Sequence, residues 1–562
     1  MHPEEEVGVD GFVPFPDDVA ARYREAGLWQ GTTIGAVLRD AAARWPDRLA
    51  VASPAGAAPA PASGGASATS AGSARSGGLT YAQLDVAADR RAAGFVALGI
   101  QPGDRVVLQL PNSPEFVVTF FGLVRAGAIP VMCLPAHRAA EIGHLARLSE
   151  AVAYVIPDTA HGFDYRTLAA GVPVAHVLVD GDPGPYRSLA DVEAAPSELP
   201  DADPASVAVL LVSGGTTGVP KLIPRTHDDY AFNARASAAV CELTADDVYL
   251  VTLPAAHNFP LACPGILGTL GVGGTVVFVA DPSPEHAFGA IEAHRVTVTA
   301  VVPPLAQLWC AATDWEEADL SSLRLLQVGG ARLAEGNAQQ VRPALGAQLQ
   351  QVFGMAEGLL NYTRLDDPDD IVCTTQGRPL SEFDEVRVVD AEGHDVADGV
   401  EGELLTRGPY TIRGYYRVPE HNSRAFTPDG FYRTGDVVRR LPSGHLAVTG
   451  RIKDVINRGG ENVSCDELEE HLLAVPGVRH AAAVGLPDDA LGEKVCAVLV
   501  LGSDAAAPTL ADVKSFLTAR GLAAFKLPDT VRVSDTLPVT AVGKIDKKAI
   551  VAGLTAAHSA AR

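Results

Sequence analysis

The 562-residue chain carries 44 Lys and Arg against 68 Asp and Glu, a formal net charge of −24. That balance excludes a nucleic-acid grip, which needs clustered cations to displace phosphate counterions. With 47% hydrophobic and 20% charged residues the composition is that of a globular chain, too long for one ordinary core, so two or more domains are expected.

Seven cysteines (Cys133, Cys241, Cys263, Cys310, Cys373, Cys465, Cys496) are dispersed without a CxxC pair. The pattern suits reduced thiols better than a disulfide framework or a zinc site. The opening Met1 to Glu6 is acidic and lacks the basic start and apolar core of a signal peptide. No apolar run approaches the roughly 18 residues that a membrane helix requires. A cytoplasmic protein with neither a membrane nor a nucleic-acid partner is expected.

Along the chain, residues 56–78 are Ala, Ser, Gly and Pro with almost no large side chain, and predict a flexible surface insertion. The pattern resumes at Leu79, with Thr80 as a helix cap. From there to about residue 380, short apolar runs (Val106 to Leu110, Val207 to Val212, Thr275 to Val279, Thr297 to Val302, Arg324 to Val328) alternate with helical stretches such as Glu115 to Ala126 and Pro284 to His294. This alternation predicts an α/β architecture of helices over largely parallel sheets. Residues 383–450 change to short alternating strands (Glu385 to Val389, Glu403 to Arg407), which predicts a β-rich, barrel-like subdomain. A boundary near Gly450 leaves 451–562 as a small α+β domain, with helices at Cys465 to Ala474 and Leu510 to Arg520 and strands near 480–486 and 495–501.

The strongest local motif is Leu211-Val212-Ser213-Gly214-Gly215-Thr216-Thr217-Gly218-Val219-Pro220-Lys221. A buried strand enters a loop whose glycines and hydroxyls could wrap an anion such as phosphate; the plainer reading is a surface loop. A P-loop would require Gly-Lys directly followed by Ser or Thr, and here Leu222 follows Lys221. Gly271-Val272-Gly273-Gly274 precedes a strand instead of following one, so it is a turn and not a dinucleotide fingerprint.

The Ser213 loop resembles the phosphate-binding signature of the adenylate-forming superfamily of acyl-CoA synthetases, peptide-synthetase adenylation domains and luciferases. Further matches follow in that family's order: Val328 to Ala331, Val352 to Gly358, Tyr432 to Asp436, Gly450 to Asp454 and Pro538 to Asp546. The resemblance implies a large N-terminal part, a small mobile C-terminal domain, and activation of a carboxylic acid by ATP and Mg²⁺. It implies that Ser213, Thr216 and Thr217 hold phosphates and that Gly330, Ala331, Val352, Phe353 and Ala356 form the adenine slot. By the same resemblance Asp436 takes the ribose hydroxyls, Arg451 and Lys453 reach the nucleotide or the hinge, Glu357 binds Mg²⁺, and Lys544 is the catalytic lysine. Such cations and donors are wanted because carboxylate and phosphate repel while charge spreads in the transition state.

Ala256-His257-Asn258-Phe259-Pro260-Leu261-Ala262-Cys263-Pro264-Gly265 is similar to the matching segment of aryl-acid AMP ligases of siderophore biosynthesis. Gly11 to Pro16 and Tyr23 to Gly31 also look like that subfamily. The resemblance implies that His257 lies beside the carboxylate, Asn258 meets the 2-hydroxyl and Phe259 lines the ring pocket. Where 2,3-dihydroxybenzoate enzymes carry a serine, this chain has Cys263. A thiol is a poor donor, and an unpaired buried hydroxyl costs about 1–3 kcal/mol, so salicylate is the expected acid.

The implied second step passes the acyl group to the phosphopantetheine thiol of a separate aryl carrier protein, with Gly459-Gly460-Glu461 facing that thiol. Asn462 departs from the Lys that close relatives often carry. A 2,3-dihydroxybenzoate ligase, a ligase using free CoA and a catalytically silent binding protein stay open as rivals.

Overall fold

The computed structural model describes residues 10–52, 78–213, 220–333, 335–451, 455–502, 505–538 and 547–560. The 56–78 insertion, apart from Gly78, therefore lies outside the described residues, as do Thr216, Thr217, Lys453 and Lys544.

Two large sheets organise the described residues. One runs in the order 378–379, 359–362, 348–355, 325–329, 298–301, 248–251, 275–278, 49–52 and 79–80, and its six strands from 348–355 to 49–52 are parallel. The other runs in the order 222–226, 207–212, 129–132, 105–108, 153–157, 176–180 and 187–188. Only its first pair is antiparallel. Strands such as Val207–Val212 are apolar on both faces because helices cover both. Helices Tyr81–Ala97, Pro114–Arg125, His227–Val240 and Gly265–Gly271 share one core with strands of both sheets.

Local chemistry sets where these helices begin. Thr80 and Gln83 form a reciprocal capping box, as do Thr226 and Asp229, and Ser113 caps the helix that opens with Pro114. The helix Gly265–Gly271 ends in a turn where Gly273 has φ +89°, and a Cβ there would stand 2.6 Å from the Trp45 ring.

The β-rich unit is an antiparallel sheet of strands 385–389, 401–407, 432–440 and 446–451. Instead of closing as a barrel, its first and last strands do not pair among the described residues, and Leu359 with Phe353 of the large sheet packs against Val388, Leu404, Val438 and Leu446. Burial against a neighbour removes the need for closure.

Beyond residue 451, strands 455–458, 461–464, 478–488, 492–501 and 530–533 form a third layer with helices Cys465–Leu473 and Leu510–Ala519. This part touches the large sheets closely. A Cβ on Gly460 would lie 2.7 Å from Val302, and one on Gly521 would lie 3.2 Å from the Ala140 backbone.

Candidate active site

The carboxyl ends of strands 207–212, 325–329 and 348–355, with the loop after strand 248–251, converge on a cavity of about 170 Å³. This is where open α/β sheets bind ligands, because loops diverge there and leave a crevice. Ser213, His257, Asn258, Phe259, Cys263, Gly330, Val352, Ala356, Glu357 and Asp436 all line it. Ala331 and Phe353 do not. Phe353 turns instead towards the core under the antiparallel sheet, because successive strand residues face opposite sides.

The ends of the glycine-rich loop are pinned together. Ser213 N–H donates to the Lys221 carbonyl at 2.9 Å, and Lys221 N–H donates to Ser213 Oγ at 3.1 Å. Lys221 is buried, lines the cavity and carries its ammonium 5.8 Å from the centre of the Tyr415 ring. Tyr415 donates to Glu357 Oε1 at 2.7 Å and shares a 2.8 Å contact with the Tyr432 hydroxyl. Burial, with Glu357 beside it, pushes the Tyr415 phenol well above its usual range, so it remains a donor. Glu357 sits in the turn between strands 348–355 and 359–362. That turn requires Gly358, whose φ is +106° and where a Cβ would lie 1.8 Å from the Tyr410 carbonyl.

The acid end is built by the short helix Asn258–Ala262. His257 caps it, Nδ1 accepting the Phe259 N–H at 3.2 Å; the residue keeps an exposed face, and desolvation by the chain around it lowers its pKa to about 4. The imidazole is thus neutral, with its proton on Nε2. Asn258 Nδ2 lies 3.5 Å from Cys263 Sγ, and burial pushes that thiol up to about 12. Gly329 leaves space for Phe259, since a Cβ would come within 2.9 Å of its ring.

Asp436 is 3% exposed, and its backbone N–H donates to Thr434 Oγ1 at 3.0 Å. Arg451 pairs with Asp436 through the backbone, while its side chain lies outside the described residues. Gly460 and Asn462 also line the cavity. Motif reading passed over Lys221 and Tyr432 as site residues although both lie inside matched motifs. Tyr415 carried no local signal at all; only the fold brings it to Glu357.

A larger cavity of about 750 Å³ lies by the N-terminal segment, between Trp29 and Asp203. Its buried charge is already satisfied: Asp228 accepts from Arg24 at 3.3 Å and from the Gly31 N–H at 3.1 Å. The smaller, polar cavity is the one with chemistry.

Comparison with known proteins agrees with this geometry. Residues 38–416 match the model of the AMP-binding enzyme family, and 467–544 match the AMP-binding enzyme C-terminal domain. The chain belongs to the AMP-binding enzyme family. It is 58% identical over 558 residues to the salicyl-AMP ligase / salicyl-S-ArCP synthetase of Mycobacterium tuberculosis, covering 98% of this chain and 95% of that one. It is 50% identical over 545 residues to the 2,3-dihydroxybenzoate-AMP ligase of Bacillus subtilis, covering 96% and 97%. Among solved structures, apo MbtA of Mycobacterium smegmatis superposes with a TM-score of 0.72 at 56% identity, covering 96% and 98%. No helix among the described residues is long and apolar enough to cross a membrane.

Proposed function

We propose that this enzyme joins salicylate to AMP with release of pyrophosphate, then passes the salicyl group to the phosphopantetheine thiol of a separate aryl carrier protein. The observation that carries the reading is one cavity with two chemical ends. Asn258, Phe259 and Cys263 line it together with Ser213, Lys221, Glu357 and Asp436.

In the first step a carboxylate oxygen bonds to the α-phosphorus, and the bond from that phosphorus to the bridging oxygen breaks. Pyrophosphate leaves with the electron pair. Two anions must meet, so the chain has to supply donors and positive charge. The neutral His257 can offer Nε2–H to the carboxylate without protonating it. Lys221 lies at the base of the phosphate loop, and Lys544 is read as the cation that bridges carboxylate and phosphate. Asp436 is suited to the ribose hydroxyls. Glu357, which lines the cavity, is the carboxylate suited to Mg²⁺, an ion that takes few protein ligands. When bound, that ion would offset phosphate charge.

We read 1–450 as the adenylating core and 451–562 as a domain that moves between the two steps. Gly460 and Asn462 at the cavity support the second of its two positions, the one that admits the thiol. Seven free cysteines, six of them buried, support a reducing, cytoplasmic setting.

Acid-dependent ATP–pyrophosphate exchange tests the reading. Salicylate is expected to give the highest kcat/KM, above 2,3-dihydroxybenzoate, and Lys544→Ala to abolish exchange. Transfer is expected to an aryl carrier protein and not to free CoA. Exchange that ignores salicylate, or that survives unchanged in Lys544→Ala, would refute it.

A further inference from the structure

Behind the acid pocket lies a buried polar network that the reaction scheme does not use. Tyr230, on the helix His227–Val240, is fully buried, and its hydroxyl donates to Asn258 Oδ1 at 2.9 Å. The ring is fixed by the Arg225 guanidinium, 4.8 Å from its centre. Arg225 is in turn held by Asp229 at 2.7 Å, the Ala356 carbonyl at 3.2 Å and Asn233 Oδ1 at 3.4 Å. Asn233 Nδ2 donates to the Ala262 carbonyl at 2.7 Å and approaches Cys263 Sγ at 3.9 Å. The network therefore holds both ends of the segment 258–263.

An asparagine amide can be turned end for end, exchanging a donor for an acceptor at any point it faces. A phenol that gives its hydrogen to one end removes that freedom. With Oδ1 engaged by Tyr230, the Asn258 amide group directs N–H hydrogens the other way. One of them is offered to Cys263 Sγ, a weak acceptor at 3.5 Å. The second is left for a group in the cavity that Asn258 lines.

We propose that Tyr230 is a positioning residue that orients Asn258 so that the pocket presents a hydrogen-bond donor to the ortho substituent of the bound aryl acid. The inference rests on the aryl-acid reading and adds a polarity to it. An ortho hydroxyl can turn its own hydrogen onto the neighbouring carboxylate and offer oxygen lone pairs to Asn258. An ortho amino group has its lone pair drawn into the ring and would set N–H against N–H. The pocket thus selects 2-hydroxybenzoate over 2-aminobenzoate, and Tyr230 is the source of that choice.

Exchange kinetics with 2-hydroxybenzoate, 2-aminobenzoate and benzoate test this in the wild type, Tyr230→Phe, Asn258→Ala and the double variant. Wild type is expected to prefer the hydroxy over the amino acid by about tenfold or more, the range for a lost or opposed hydrogen bond. Tyr230→Phe should shrink that ratio at least several-fold, by weakening saturation with the hydroxy acid (a higher KM) and not by slowing turnover. Its benzoate kinetics and its KM for ATP should stay within about twofold, and adding it to Asn258→Ala should cost nothing more. An unchanged ratio in Tyr230→Phe, or an equal loss on all three acids, overturns the proposal while leaving the salicylate reading intact. A wild type that discriminates hydroxy from benzoate but not from amino also overturns it, and needs no folded variant. A wild type that does not prefer 2-hydroxybenzoate to benzoate removes both readings.

Discussion

The Lys526 ammonium lies 3.1 Å from the Glu141 carboxylate, joining the third layer to the helix Ala139–Ser149, and Glu467 takes it from the other side at 2.8 Å. Lys526 is 5% exposed and Glu141 1%. Burial alone would push the Glu141 carboxyl up and the Lys526 ammonium down. Their mutual attraction prevails, so the carboxyl is held below its usual value and the ammonium above. The stabilisation from Glu141 is present above about pH 4.5 and lost as pH falls through its depressed pKa; that from Lys526 is lost only above about 10.5.

Removing the cation leaves the buried Glu141 carboxylate facing the half-buried Glu467. Lys526→Met is expected to cost about 3–5 kcal/mol in urea unfolding at pH 7. Adding Glu141→Gln and Glu467→Gln should restore most of it. Because the contact bridges the two proposed domains, Glu141→Gln is also expected to slow carrier acylation more than pyrophosphate exchange. Equal effects on both steps would deny the contact any role in domain position.

Cys263→Ser adds a donor where the thiol now sits, 1% exposed behind Asn258. The variant should raise kcat/KM for 2,3-dihydroxybenzoate about tenfold relative to salicylate, the effect of pairing one buried hydroxyl. Side-by-side exchange assays read the ratio directly.

His257 is neutral in the folded protein, its pKa lowered to about 4 by desolvation. Exchange rates between pH 5.5 and 7.5 should therefore show no step from this group. The sign for stability is that of a depressed pKa: unfolding takes up a proton once pH drops below about 6.5. The loss grows as pH approaches about 4, muted by solvent screening because His257 keeps an exposed face. Comparing His257→Asn with wild type by denaturant titration at pH 7, 6 and 5 should show the wild type losing its advantage as the medium acidifies.

Asp384 has the opposite slope. Burial raises its carboxyl to about 7 despite bonds from Tyr410 at 2.6 Å and the Ser381 N–H at 3.0 Å. Its Oδ1 lacks a partner among the described residues. The unfolded chain gives up this proton at about pH 4 while the folded protein keeps it to about 7, so Asp384→Asn should gain on wild type by about 1.4 kcal/mol per pH unit between those values and hold a constant advantage above. Unfolding free energies of wild type and variant that stay parallel at pH 4.5, 5.5 and 6.5 would contradict a protonated Asp384.

Much of this was readable before any coordinates. The apolar run Val207 to Val212 matches its strand end to end, and Thr80 caps its helix as its hydroxyl predicts. Both follow from neighbours in the chain: a doubly buried strand needs unbroken apolar residues, and a cap needs an oxygen beside the first free N–H groups. The 257–263 segment resembles the matching segment of aryl-acid AMP ligases, and His257, Asn258, Phe259 and Cys263 line one cavity. Tertiary packing decided the rest. Tyr415 reaches Glu357 across 58 positions, Lys526 reaches Glu141 across 385, and Tyr230 orients Asn258 from another helix. A hydrogen bond depends on distance and angle in space, which separation along the chain does not determine, so such contacts leave no local pattern to read.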